Sequence, residues 1–304
     1  MPTDRRGPQA QPIARRGPQA PRLLAVGHVT RDRLQEREVP GGSVAYASLA
    51  ARALGWEAAV LTSAGPEFHP DTDLPGVSVF HSVAPATTRF AHRYERDGTR
   101  RQVLSARSDD VDLAVLSDEW RGPDVLFLAP VAGEVPAGAA SAFTADVVGA
   151  GAQGWLRTVD AEGRVSAAEW PNPAADLAGV HVLFLSEHDL PRGASAERFL
   201  EHVPIVALTR GWEGLTLITR ESVHQVPSLP RAEVDPTGAG DVFAASFLLR
   251  YHETGDPLEA AAFGACAASC AVEGIGTSSL GDRAEVARRL ILRDRLIEEG
   301  EWDE

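Results

Sequence analysis

The chain has 304 residues and a formal net charge of −14, and every one of its 29 basic residues is arginine. Without lysine there is no phosphate-gripping P-loop Lys, no Schiff-base chemistry and no Lys general base; arginine-rich codon usage, also visible in a single Asn (Asn172) and a single Met, accounts for the bias. The acidic balance argues against a nucleic-acid binder, which needs a basic face, while 44% hydrophobic and 24% charged residues suit a globular protein with one large α/β domain or two small ones.

No stretch approaches the roughly 18 apolar residues of a membrane span, and no apolar run follows the basic N-terminal residues, so neither a membrane segment nor a signal peptide is expected and the cytoplasm is the default compartment. Residues 1–22 hold five Arg and one Asp, net +4, which leaves 24 Arg against 42 acidic residues for the remainder. The hexapeptide RRGPQA occurs twice, at residues 5–10 and 15–20; Arg, Gly, Pro and Gln bury no face, so residues 1–21 read as a disordered tail ahead of a domain over residues 22–304.

From Arg22 the pattern is LLAVGH as a strand, SVAYASLAARALG as a helix and AAVLTSA as a second strand, a βαβ start. DVLFLAP, HVLFLSE and PIVALTR are short and apolar on both faces, as buried parallel strands between helices should be. Residues 33–40 and 87–104 alternate polar and apolar residues, the latter around Asp97-Gly98, a hairpin turn signal; they predict antiparallel strands apart from the main sheet, either a flap over a cleft or an ordinary edge hairpin. The last 70 residues predict successive helices. Cys266 and Cys270, four apart on one helix, read as small reduced core residues.

The most informative stretch is VDPTGAGDVFAASFLLR at residues 234–250. Gly238, Ala239 and Gly240 leave the backbone open just before an apolar helical run, so amides around residues 238–241 can point at one anion at a helix N-terminus. Asp241 falls in the first helical turn, where the alternative is a simple cap. Gly41-Gly42 opens an earlier helix and permits close approach of a small ligand. Asp32 lies just past the first strand, where open α/β sheets bind ligands; a carboxylate there suits hydroxyl recognition, or it pairs with Arg31 or Arg33.

Together these residues resemble the ribokinase, or PfkB, family of small-molecule kinases over residues 22–296. The family's DTxGAGD signature is met by Asp235, Thr237, Gly238, Ala239, Gly240 and Asp241. Gly41, Gly42 and Asp32 stand in the order the family uses for its substrate, and Thr209, Gly211 and Gly214 in TRGWEG look like its nucleotide loop. The resemblance implies a three-layer α/β/α sandwich with a mostly parallel central sheet and a small β lid from the 33–40 and 87–104 strands, which is also a candidate surface for a homodimer. It implies ATP and Mg²⁺ as cofactors, γ-phosphoryl transfer to a hydroxyl of a small polyhydroxy substrate, Asp241 as general base and the Gly238–Ala239–Gly240 amides as an anion hole, with Thr237 on the nucleotide side.

Within that family, VDPTGAGD, GHVTRDRL, LAPVAGEV and GAQGWLRTVDAEGRV resemble the myo-inositol kinase-like subgroup, in which Gln153 and Arg157 would line the acceptor side. Two positions depart from the family's pattern. The NxxE motif appears as SEHD, with Ser186 and Asp189 at the matching positions and Glu187 as an extra carboxylate; Asp189 or Glu187 would hold a hydrated Mg²⁺ through water. Tyr46 stands where many sugar kinases carry Asn, which changes the acceptor site's size and hydrogen-bond inventory. The alternative is a ribokinase-fold binding or regulatory protein that has lost efficient transfer. A nicotinamide-dependent dehydrogenase is disfavoured, because the first βα turn, GHVTRD, has no GxGxxG fingerprint. Trp212, in the TRGWEG loop, either packs or flanks an adenine, and the nine His show no metal-binding spacing.

Overall fold

A computed structural model describes residues 20–34, 37–94, 100–191 and 193–300. Nearly all of the 1–21 tail and the Asp97-Gly98 turn lie outside the described residues. The strands are β1 (Arg22–Val26), β2 (Thr30–Leu34), β3 (Arg37–Gly41), β4 (Glu57–Ala64), β5 (Ser78–Val83), β6 (Thr88–Tyr94), β7 (Arg100–Ala106), β8 (Val125–Leu128), β9 (Val147–Gly151), β10 (Arg157–Val159), β11 (Val165–Ala167), β12 (Val182–Ser186), β13 (Ile205–Thr209), β14 (Leu215–Thr219) and β15 (Val223–Val226). The long helices are α1 (Ser43–Ala53), α2 (Ala239–Thr254), α3 (Pro257–Ala271) and α4 (Arg283–Glu298).

Nine strands form one sheet in the order β15-β14-β13-β12-β9-β8-β1-β4-β5. From β13 to β5 every pairing is parallel, and β14 and β15 add an antiparallel edge. The chain moves outward from β1 through β4 to β5 on one side and through β8, β9, β12 and β13 on the other, so β1 and β8 diverge at a topological switch point, the place where ligands bind in open α/β sheets. No helix of the described residues is long and apolar enough to cross a membrane.

Both sheet faces are dry. Leu23, Ala25, Val60, Phe127 and Phe184 pack under the long helices with Phe243, Phe247 and Leu248, whereas Leu24, Val26, Leu61, Leu126, Leu128 and Leu185 face a second cluster containing Trp120, Trp155, Trp170 and Phe199. That second layer differs from the regular helices expected between parallel strands. It consists of 3₁₀ turns at Leu113–Val115, Asp118–Trp120, Ala139–Ala142 and Ala196–Glu201 and a single helical turn at Pro173–Asp176. Its segments carry Pro123, Pro130, Pro136, Pro171, Pro173 and Pro191, and each proline lacks the amide a continuing helix would need.

Local chemistry sets the helix ends. Asp256 caps α3 by accepting from Leu258 N at 2.8 Å and Glu259 N at 3.2 Å, with Pro257 at the first position, and Asp282 caps α4 through Glu285 N at 2.8 Å. Cys266 and Cys270 are buried and free, and burial pushes their thiols up to about 12 and about 11, as reduced core residues should be.

A separate four-stranded sheet, β3-β2-β6-β7, forms the predicted lid region. Two corrections follow. The first lid strand begins at Thr30, so Asp32 lies within it, opposite Val39 and Phe90, rather than merely beyond β1; and β2 runs parallel to β6, because the chain returns to the lid only after passing through α1, β4 and β5. Phe247 is fully buried and in ring contact with Phe184 and Phe243 at 5.3 and 5.9 Å. Phe247→Ala should therefore cost about 3–5 kcal/mol in urea unfolding, with the native sheet retained by circular dichroism.

Candidate active site

Gly238 is the N-cap of α2 at φ +78°. A Cβ there would also fall 2.2–2.4 Å from ring atoms of Tyr46, so the ring lies flat against the backbone on which α2 begins. Asp235 ties that loop down: its carboxylate accepts from Thr237 N and from Gly276 N, both at 3.0 Å. The expected four-amide anion hole is narrower than the motif suggests. Ala239 N donates to Pro236 O at 3.2 Å and Asp241 N to Gly238 O at 3.0 Å, because the turn tightens as it enters the helix. Among the described residues the Gly238 and Gly240 amides are left without an internal acceptor.

Asp241 projects from the first turn of α2 toward Ser43, the first residue of α1, whose side chain hydrogen-bonds it. Ser43 is the residue that motif reading passed over, although it directly follows the Gly41-Gly42 pair. Burial pushes the Asp241 carboxyl up to about 6; the neighbouring Asp189 and Asp32 act in the same direction, against Ser43 and Arg157. Its residue keeps some exposure.

Asp32 is 9% exposed and accepts from Thr30 Oγ1 at 2.9 Å, with Gly41 packed beside its other oxygen. Gly42 caps α1 at φ +91° with no side-chain cap. Tyr46 is 2% exposed; burial and the charges of Asp235, Asp32 and Asp241 push its phenol well above the usual range. Arg157 opens β10 and lies in the field of Asp189, Asp241 and Glu134, and burial pulls its guanidinium down from the ordinary value. It makes no hydrogen bond or ion pair among the described residues, and it lines a cavity of about 450 Å³ with Glu134, Trp155 and Trp170.

Beneath the cleft lies a buried polar network that motif reading also missed. Glu134, fully buried, accepts from His28 N at 2.7 Å, Val131 N at 3.0 Å and Ala132 N at 2.7 Å. His28 Nε2 faces the Asp109 carbonyl at 2.8 Å and therefore carries the proton, so Nδ1 accepts from the Thr88 hydroxyl at 2.7 Å. The fragments GHVT and LAPVAGEV contain both residues, yet only the fold joins the ends of β1 and β8.

In SEHD, Ser186 caps the turn and Asp189 Oδ2 accepts from Ser186 N at 2.9 Å; Asp189 faces Arg157, whereas Glu187 is exposed. Gln153 is half-buried just after β9. Thr209 donates to Leu185 O at 3.3 Å, and Gly211 and Gly214, both at positive φ, close a tight turn beyond β13. Trp212 at its tip is 81% exposed, so it does not pack. The described residues gather three metal-ligating side chains only at Asp124, Asp146 and His252, which precede β8 and β9 and lie near the end of α2, at the N-terminal ends of those strands.

Residues 159–283, which span the signature loop, match the profile of the pfkB family carbohydrate kinases. That match covers less than half of the chain. The chain is 33% identical over 100 residues to a nucleoside kinase of Methanocaldococcus jannaschii, a stretch covering 31% of this chain and 33% of that protein; the chain thus spans about a third of the length of the curated relative it matches. Two solved structures resemble the fold over most of the chain. One is a pyrophosphate-dependent kinase in the ribokinase family complexed with a pyrophosphate analog and myo-inositol, at TM-score 0.69, 19% identity and 88% and 99% coverage of this chain and that one. The other is Arabidopsis thaliana ribokinase complexed with ribose and ATP, at TM-score 0.66, 21% identity and 90% and 99% coverage. The fold is ribokinase-like.

The raised Asp241 carboxyl makes a stability statement. Its folded value lies above the ordinary carboxylate value near 3.9, so its contribution is fully present below about pH 4 and is lost as pH rises through about 6. Asp241→Asn should therefore be more stable than the parent above pH 6, with the gap closing below about pH 4 in urea unfolding followed across pH.

Proposed function

We propose that this protein is a kinase that transfers a terminal phosphoryl group to a hydroxyl of a small polyhydroxy acceptor. The observation that carries this reading is the Asp241 carboxylate, held near neutrality at the start of α2 beside two unpartnered amides and the unpaired Arg157. Asp32 and Gly41 line the acceptor side, with the acceptor hydroxyl directed at Asp241. As the hydroxyl oxygen attacks the terminal phosphorus, its proton passes to Asp241 and the bridging oxygen leaves with the donor. The Gly238 and Gly240 amides, with Ala239 between them, face the phosphoryl oxygens where charge builds.

Mg²⁺ bound with the donor's phosphates would neutralise part of their charge. Asp189 fits a water-mediated role toward it: one carboxylate oxygen is fixed by Ser186 N, and its charge lies in the field of Arg157. Glu187, exposed on the same turn, is the weaker ligand. ATP is the proposed donor, with Thr209, Gly211, Gly214 and Thr237 on its side of the cleft. The ATP complex of the Arabidopsis neighbour supports that choice, and the pyrophosphate-dependent neighbour names the competing donor.

A myo-inositol-like acceptor is favoured, because Tyr46 stands where many sugar kinases of the resembled family carry Asn and because a neighbour of the same fold was solved with myo-inositol. The nucleoside kinase relative makes a nucleoside the competing acceptor. A binding protein with slow transfer is the second reading, favoured by the SEHD turn, in which Ser186 and Asp189 are already engaged with each other.

A panel of inositols, pentoses, hexoses and nucleosides, each with ATP and with pyrophosphate, tests all of these. Turnover should appear with ATP and be greatest with an inositol; acceptor-induced thermal stabilisation without turnover on any pair would favour the binding protein. Asp241→Asn should lower kcat by about 10³-fold while donor binding is retained, and kcat/KM of the parent should rise with pH through about 6. Gly238→Ala, whose Cβ meets the Tyr46 ring, should cost at least about 100-fold in kcat by displacing the start of α2, with donor affinity as the accompanying measurement.

A further inference from the structure

β7 is an edge strand of the lid, and an unpaired edge exposes backbone groups. Here another part of the chain covers it. Leu104 N donates to Gly163 O at 2.8 Å, and Val103 bridges Arg164 in antiparallel fashion. Gly163 lies at the turn of the β10–β11 hairpin at φ +80°, and a Cβ there would fall 2.6 Å from Leu104 O, so only glycine permits this contact. The hairpin turn is stiffened by Asp160, which accepts from Glu162 N at 3.0 Å, Arg164 N at 2.8 Å and Arg164 Nε at 2.6 Å.

The other end of the same hairpin is Arg157, opposite Ala167 in the strand register and closed by Ala168 N on Leu156 O at 2.8 Å. A two-stranded arm of few residues therefore runs from the lid edge to the cation that faces Asp241 and Asp189. Arg157 has no hydrogen bond or ion pair of its own among the described residues; its position is set by the backbone that carries it.

We propose that the β10–β11 hairpin is a lever between the lid and the reaction centre: the Leu104–Gly163 contact transmits the position of the lid to Arg157, making Gly163 and Leu104 positioning residues for that guanidinium. The proposal rests on the kinase reading for its consequence, since an acceptor that draws the lid inward would also seat Arg157 against the phosphoryl group. Its mechanical content stands without that reading.

The test uses the full-length protein with Gly163→Val, which adds the forbidden Cβ, and Leu104→Pro, which removes the amide facing the hairpin together with the half-buried leucine side chain and leaves the side of β7 paired with β6 its own amides. Amide hydrogen exchange of the unliganded protein is read at residues 102–106 and 157–159. Both segments should lose protection together in both variants, by about tenfold for one lost backbone hydrogen bond. Loosening of residues 102–106 with unchanged exchange at 157–159 would overturn the lever whether or not the protein proves to be a kinase.

Kinetics add the second arm. Each variant should raise the acceptor KM and lower kcat about tenfold with donor affinity unchanged, and neither should cause further loss in an Arg157→Ala background. Independent, multiplying losses in that background would also refute the lever, whereas failure of the parent protein to turn over any donor and acceptor pair would refute the kinase reading and leave the exchange result to decide the lever.

Discussion

The site depends on one buried carboxylate placed where the N-termini of two helices converge. Removing Asp241 from water disfavours its charge, and Asp32 and Asp189 disfavour it further, while Ser43 at the start of α1 and Arg157 on the hairpin favour it. The balance leaves the group near 6, half-ionised just below neutrality, where a proton acceptor is most useful. Such a balance survives only if its contributors cannot drift. The Tyr46 ring pressed on Gly238 fixes the start of α2, and Asp235, holding the Thr237 and Gly276 amides at once, fixes the loop before it.

The fold supplies the convergence. Because β1 and β8 lead the chain in opposite directions across the sheet, their C-terminal ends leave a crevice that no crossover covers. The groups that line its floor would be costly to bury without partners, and the network shows how they are satisfied: Glu134 takes amides from both strand ends, and His28 reaches from the end of β1 to the first residue of β6. Thr88 thus roots the small sheet in the same buried network, and the β10–β11 hairpin attaches its far edge. The small sheet is held at two places.

Much of this was legible in the sequence for identifiable reasons. The apolar runs of β1, β8, β12 and β13 and the periodic last helices announce themselves, since burial on both faces or on one stripe leaves a direct mark on composition. VDPTGAGD located the start of α2, because only glycine serves at Gly238. β9, read as VVGAG, was passed over: two glycines dilute its apolar signal, and Gly149 is small because Leu248 of α2 packs against it. The second layer was misread as helical because periodicity reports burial without the prolines' veto on backbone geometry. Ser43, His28 and Glu134 carry no local motif; their roles arise from strand order, which brings together residues more than a hundred positions apart. The Gly238–Asp241 turn shows the reverse case, a correct motif whose amides are partly consumed by the turn it encodes.

The missing lysines bear on how such a centre can be charged. The described arginines are mostly engaged: Arg31 with Asp73, Arg250 with Glu253 and Glu259, Arg289 with Glu273 and Glu285, and Arg283 with Glu253. Arg157 is not. A lysine ammonium in that place would shed its proton readily when desolvated, whereas a guanidinium keeps its charge under the same burial. Charge on Arg157 therefore persists at the pH where Asp241 changes ionisation. In a chain of net charge −14, the positive side of the site then consists of groups that do not titrate near neutrality: backbone amides aimed by the glycine turn, and one guanidinium aimed by a hairpin.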